Sequence, residues 1–149
     1  MHPYHVLGLE RGVAAMARVI SLIPTDKLDE AIEPGRFTPR EVVAHMADWE
    51  PIFRNRIELA LEQPGVLIEV FDEEQMAIDH DYAHADLALW MAKFRAERER
   101  TVLLVRSLKD SDRLIGYRHP EFGEMRVQDQ IDMFLGHDLY HLEQLTASL

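Results

Sequence analysis

Cysteine is absent from all 149 residues. The chain therefore has no disulfide framework, no thiolate zinc site and no thiol nucleophile of its own. No apolar run reaches the roughly 18–20 residues that a membrane-spanning helix needs, so a membrane is not an expected partner. The opening Met1-His2-Pro3-Tyr4-His5 lacks the basic and apolar blocks of a signal peptide, and cytoplasmic residence is the expectation. Positive charge is scarce: 16 basic residues against 27 acidic ones leave a net charge of −11. A surface that negative repels a phosphate backbone, so nucleic acid is not an expected partner either. The nearest thing to a basic cluster is Arg95, Arg98, Arg100 and Arg106. These alternate with Glu97 and Glu99, which reads as a solvated, salt-bridged helix face. Glycine and proline, 7 of each, fall at boundaries more than inside periodic stretches. That distribution suits an all-helical chain with short connections.

What is present is helical periodicity, in four stretches. The first runs from about residue 4 to 22, with Val6, Leu9, Val13, Met16, Ala17 and Ile20 at three- and four-residue steps, and Pro24 stops it. The second has the clearest start: Thr38-Pro39-Arg40-Glu41 offers an N-cap, a proline at the first helical position and the glutamate of a capping box. From there Val42, Met46, Trp49, Phe53, Ile57 and Ala60 form one stripe, interrupted in its hydrogen bonding by Pro51 and ended by Pro64-Gly65. Residues 66–83 read as a long acidic crossover with a short helix near 73–78. The third helix spans about 85–108, with Leu87, Met91, Phe94, Thr101, Val105 and Leu108 inward. Residues 116–123 read as a turn-rich connector or short hairpin. The fourth helix spans about 127–147 on a stripe of Val127, Ile131, Phe134, Leu135, Leu142 and Leu145. The economical fold is a four-helix bundle forming one domain over residues 1–149.

The chemistry lies in the histidines. His137 and His141 stand four residues apart on the last helix, so their imidazoles lie one above the other on one face and can chelate one divalent metal. The same spacing also arises on exposed faces with no metal. His45 sits on a matching shoulder of the second helix, beside the stripe of Val42, Met46, Trp49 and Phe53. Three neutral imidazoles leave a fourth position open, as catalytic rather than structural sites do. Trp49 and Met46 themselves read as core.

Other readings of the pair fail on its neighbours. A zincin needs glutamate directly after the first histidine, and Asp138 stands there. A di-iron carboxylate site needs several inward glutamates, which the apolar stripes do not supply. Asp138 falls near the centre of an apolar stripe, where a charge is costly unless paired. It reads either as an acceptor for the free N–H of a liganding imidazole, holding that ring in place behind the metal, or as a hydrogen-bond partner of backbone or hydroxyl. His80 and His84 repeat the spacing in the acidic crossover with no stripe to fix them. His2 and His5 belong to a frayed terminus. His119, before Pro120, overhangs the site at most.

These residues resemble a known family. Glu41-Val42-Val43-Ala44-His45-Met46-Ala47-Asp48-Trp49-Glu50 is similar to the second-helix motif of the DinB/YfiT-like metalloenzyme family, within the DinB superfamily. His137-Asp138-Leu139-Tyr140-His141-Leu142-Glu143-Gln144-Leu145 resembles its last-helix motif, and Arg118-His119-Pro120-Glu121-Phe122-Gly123 the segment before it. The likeness runs over most of the chain, and its last motif is the most specific part. It implies an up-down-down-up bundle with a long crossover between the second and third helices, and a divalent metal on His45, His137 and His141. Zn²⁺, Ni²⁺, Fe²⁺ and Mn²⁺ all suit such a set. Relatives include S-transferases and isomerases that use low-molecular-weight thiols, and homodimers occur among them.

The expectation is a metal-dependent enzyme acting on a small molecule, with water or a thiol as nucleophile at the open position. Thiol transfer is slightly favoured by the resemblance, and any thiol must arrive as substrate. A metal-dependent hydrolase is the alternative, and a non-catalytic, metal-binding or dimerising bundle is the reading from another class. A solvent-reaching pocket above the imidazoles separates enzyme from scaffold.

Overall fold

Thr38 starts the longest helix as its spacing predicts. In the computed structural model, which describes residues 1–149, the Glu41 backbone N–H donates to Thr38 Oγ1 at 3.2 Å. The Thr38 N–H donates in return to Glu41 Oε2 at 2.8 Å, closing the capping box. Helix α1 covers Pro3–Leu22, α2 Pro39–Glu62, α3 Glu73–Asp79, α4 Leu87–Ser107 and α5 Val127–Thr146. The connector between α4 and α5 is an antiparallel hairpin of β1 (Gly116–His119) and β2 (Gly123–Arg126). Four long helices form the bundle, and the expected short crossover helix is α3. No helix is long and apolar enough to cross a membrane.

Helix α2 is the central element. Every residue from Val42 to Glu50 is buried, so the helix is enclosed all round rather than along one stripe. It packs on α4, while α1 packs on α5 and α4. The apolar core divides into two large clusters and a small third of Ala44, Tyr82 and Ala85. One gathers Leu9, Phe53, Ile57, Val102, Ile131 and Phe134; the other Val13, Met16, Met46, Phe94 and Leu145.

Between them lies a buried polar layer that departs from the expected pattern. Arg98, expected on a solvated face, is only 2% exposed. It lies four residues after Phe94 and three before Thr101, on the inward stripe of α4. Its Nε and Nη2 donate to Glu50 at 2.6 and 3.0 Å, and its Nη1 and Nη2 to Asp138 at 2.7 Å each. Nη1 also donates to the Leu9 carbonyl at 3.0 Å. All five N–H groups of the guanidinium are thus used. Glu50 is an inward glutamate that the apolar stripe concealed, but it serves this ion pair. Gly12 allows α1 to close over the layer: a Cβ there would collide with Asp138 Oδ2 and lie 3.3 Å from Arg98 Nη1. Gly8 meets Leu135 in the same way, at 2.8 Å. Glycine therefore does structural work inside a helix, and not only at boundaries.

The crossover between α2 and α4 is held at both ends. The Gly65 N–H donates to the Gly116 carbonyl and the Ile68 N–H to the Arg118 carbonyl, at 2.8 and 2.9 Å, laying the segment beside β1. Further on, Asp48 of α2 accepts from Tyr82 Oη at 2.8 Å and from Lys93 Nζ at 2.7 Å, with His80 Nδ1 at 2.5 Å. His80 is therefore a tether of the crossover to α2. His84 is exposed and bonds Asp81 at 2.8 Å.

Candidate metal centre

Two helices bring three imidazoles together. The i, i+4 spacing on α5 stacks His137 and His141 with ring centroids 4.6 Å apart. Across the interface, the His45 ring on α2 lies 5.1 Å from His137 and 4.9 Å from His141. One ring nitrogen from each of the three falls within 4.8 Å of the others. His45 Nε2 and His137 Nε2 stand 3.0 Å apart. Two nitrogens bound tetrahedrally to one metal at ordinary Zn–N lengths lie about 3.3 Å apart, so His45 and His137 already stand close to that spacing, with His141 in reach of the same ion. His45 is completely buried, deeper than a shoulder position implies.

The electrostatics favour neutral rings. Burial holds His137 down at about 3, with His141 and Arg98 adding to the effect. Burial likewise lowers His141 to about 4, against the opposing hydrogen bond that its ring makes to Gln144. His45 is pushed well below the ordinary imidazole value by burial and by its two neighbours. At neutral pH each ring is uncharged and keeps one lone pair, the form in which histidine ligates metals.

One ligand has a defined tautomer. His141 Nδ1 lies 2.9 Å from Gln144 Oε1, and the Gln144 amide N–H donates to the Phe37 carbonyl at 2.9 Å. With the amide oriented by Phe37, His141 must donate from Nδ1, which leaves Nε2 free toward the cluster. Gln144 was missed in the sequence, although its place three residues after His141 puts it on the same helix face. Asp138 takes no part in this shell. Both its oxygens are bound by Arg98, because its position points to the bundle centre, where the only nearby cation lies. In place of a liganding imidazole, or of a backbone or hydroxyl partner, Asp138 pairs with Arg98.

Two clefts reach the histidines from outside. One, of about 380 Å³, has His137 in its wall with Trp49, Phe53, Arg56, His119 and Phe122. The other, of about 240 Å³, meets His137, His141, Tyr140 and Arg36. Glu73, at the start of α3, lines both. His119 does overhang the site: it is 4% exposed, and its Nδ1 accepts the backbone N–H groups of Glu121 and Phe122 at 3.0 and 3.2 Å. Its ring stacks on Phe122 at 4.3 Å. Trp49 is both core and cleft wall, whereas Met46 is core alone.

Fold and site together define a four-helix bundle with three histidines converging from two helices. The DinB superfamily model matches residues 9–145, and the chain belongs to that superfamily. Two similar proteins carry the name "Putative metal-dependent hydrolase". The one from Oceanobacillus iheyensis is 27% identical over 122 residues, 82% of this chain and 70% of its own length. YfiT of Bacillus subtilis is 25% identical over 139 residues, 93% of this chain and 78% of YfiT. The solved structure of YfiT, described as a probable metal-dependent hydrolase with an unusual four-helix bundle topology, superposes with a TM-score of 0.91. That superposition covers 97% of this chain and 83% of YfiT at 23% identity. A mycothiol-dependent maleylpyruvate isomerase shares the fold at a TM-score of 0.76 and 13% identity, over 95% of this chain and 59% of that one.

Proposed function

We propose that this protein is a metal-dependent enzyme, a hydrolase acting on a small molecule, with His45, His137 and His141 holding one divalent transition metal. One observation carries the reading: three neutral imidazoles, His45 and His141 buried and His137 half-buried, converge beside a solvent-reaching cleft. A purely structural metal calls for a closed, fully protein-ligated shell, and three ligands beside an open cleft are a poor match for it. A divalent ion held there supplies Lewis acidity, which makes a weak nucleophile effective near neutral pH. The chain's own residues do the rest. Gln144 orients His141, the aromatic wall of Trp49, Phe53 and Phe122 excludes water from the substrate, and the tether through Asp48 holds the crossover over the site. In this reading the long helices keep the up-down-down-up order that sets α2 beside α5.

A thiol in place of water is the second reading. The mycothiol-dependent isomerase of the same fold supports it, and a chain without cysteine must take any thiol from solution. The test is metal quantification on untagged protein. About one ion per chain is expected, with loss of the ion in His137→Ala. Substoichiometric metal in both proteins, with unchanged thermal stability on chelation, refutes the metal centre. Turnover of ester and amide substrates in buffer alone, against turnover of electrophiles only when thiols are added, separates the two chemistries.

A further inference from the structure

Arg56 projects from α2 into the wall of the cleft that reaches His137. Its side chain is almost wholly enclosed, with the residue 5% exposed, yet it makes no ion pair and no hydrogen bond to any protein acceptor. Its Nε is fully buried and unpartnered. The Phe53 ring lies 5.1 Å from the guanidinium carbon, a cation–π contact. Glu121, on the rim of the same cleft, does not come within ion-pair distance. Arg56 also borders a neighbouring groove beside Ile68 and Phe71. An enclosed guanidinium without a counter-charge is costly to the fold. Burial accordingly pulls Arg56 below its ordinary value, against the pull of Tyr117 and Glu121.

We infer that Arg56 is a specificity-determining residue that receives an oxyanion of the substrate, a carboxylate or phosphoryl group, and points the rest of the molecule toward His137. Planarity and paired N–H groups fit both anions bidentately. His119 supports the same end of the cleft. Its Nδ1 is occupied as an acceptor, so its proton resides on Nε2 and is free to donate. The assignment deepens the enzyme reading and rests on the cleft being its substrate approach. It runs against the overall charge of −11, which makes one unneutralised buried cation the local exception.

The test is calorimetric binding of benzoate, phenylphosphonate and uncharged benzamide to the protein as purified, with metal per chain measured in every sample. At least one of the two anions is expected to bind about ten- to a hundredfold more tightly than benzamide, as charged hydrogen bonds in a half-enclosed site imply. The stronger of the two identifies the anion class. Arg56→Gln abolishes the preference, Arg56→Lys retains part of it, and Arg95→Gln on the exposed face of α4 leaves it intact, all at equal metal content. Arg56→Gln and Arg56→Met are both expected to melt at or above the wild-type temperature, since each removes an uncompensated buried charge. A preference that survives Arg56→Gln or Arg56→Met at wild-type strength places the anion elsewhere, on the metal for example, and overturns the assignment. So does a wild type that binds no anion better than benzamide. Near-zero metal in every sample refutes the metal centre while leaving this comparison intact, so the two failures are distinct.

Discussion

Arg98→Met tests whether the buried polar layer is held by charge or merely tolerated. The substitution roughly keeps the aliphatic volume and removes the cation, leaving Glu50 at 2% and Asp138 at 7% exposure without their counter-ion. Four guanidinium-to-carboxylate hydrogen bonds and the one to the Leu9 carbonyl go with it. Removing one partner of a buried ion pair costs about 3–5 kcal/mol, most of it the burden of the stranded charge. For a domain near 150 residues that is a fall of roughly 6–20 °C in melting temperature. The pH dependence gives the argument its sign. Burial already raises the Glu50 carboxyl above its ordinary value, with Arg98 opposing and Asp138 adding to the rise. A carboxyl raised in the folded state favours folding at low pH, and that contribution fades as pH rises through its folded value. Without Arg98 the rise is larger, so the defect is greatest near pH 8 and shrinks toward pH 5.

Urea unfolding followed by circular dichroism at the two pH values measures this directly. A combined Glu50→Met, Arg98→Met, Asp138→Leu variant removes all three charges and should recover most of the loss, because buried ion pairs are replaceable by apolar residues of similar volume. A loss below about 1 kcal/mol in Arg98→Met, or one of equal size at both pH values, refutes the reasoning.

Two further outcomes follow from close contacts. Gln144→Leu removes the acceptor that fixes the His141 tautomer and should weaken metal binding about 10–100-fold in chelator competition, with little change in the helical spectrum. Gly12→Ala should destabilise the protein by about 1–3 kcal/mol in thermal melts. The new methyl collides with Asp138, and the helix-propensity gain of about 1 kcal/mol does not offset that.

The helices were legible because their signals are local. Thr38 and Glu41 announce the start of α2, and the connector after residue 116 is turn-rich enough to suggest the hairpin that forms. The three histidines were legible as a set because the four-residue spacing on α5 fixes two of them and the motif around His45 supplies the third. What escaped was polar and non-local. Arg98 stands among Arg95, Glu97, Glu99 and Arg100, a run whose composition says solvent, yet its position on the helix says core. Its partners lie 40 and 48 residues away, beyond the reach of periodicity. Asp138 was correctly marked as a charge in need of a partner, but that partner could be named only once α4 was set against α5. Arg56 escaped because the cleft that it lines forms only once the crossover and the hairpin lie against α2.

The two buried arginines carry opposite information. Around Arg98 the fold assembles two carboxylates and a carbonyl, one acceptor site for each N–H, from three other helices. Around Arg56, no farther from the solvent boundary than the cleft wall, it assembles none. Burial is nearly equal, 2% against 5%, so desolvation alone does not separate them. The difference lies in what each faces: Arg98 the bundle axis, Arg56 a cleft of about 380 Å³ that ends at His137. An unneutralised cation is tolerable where an outside anion can complete its shell, and its cost to the empty protein becomes binding energy when that anion arrives. On this argument the Arg98 layer fixes the helices, the helices fix the histidines, and Arg56 selects what is brought to them.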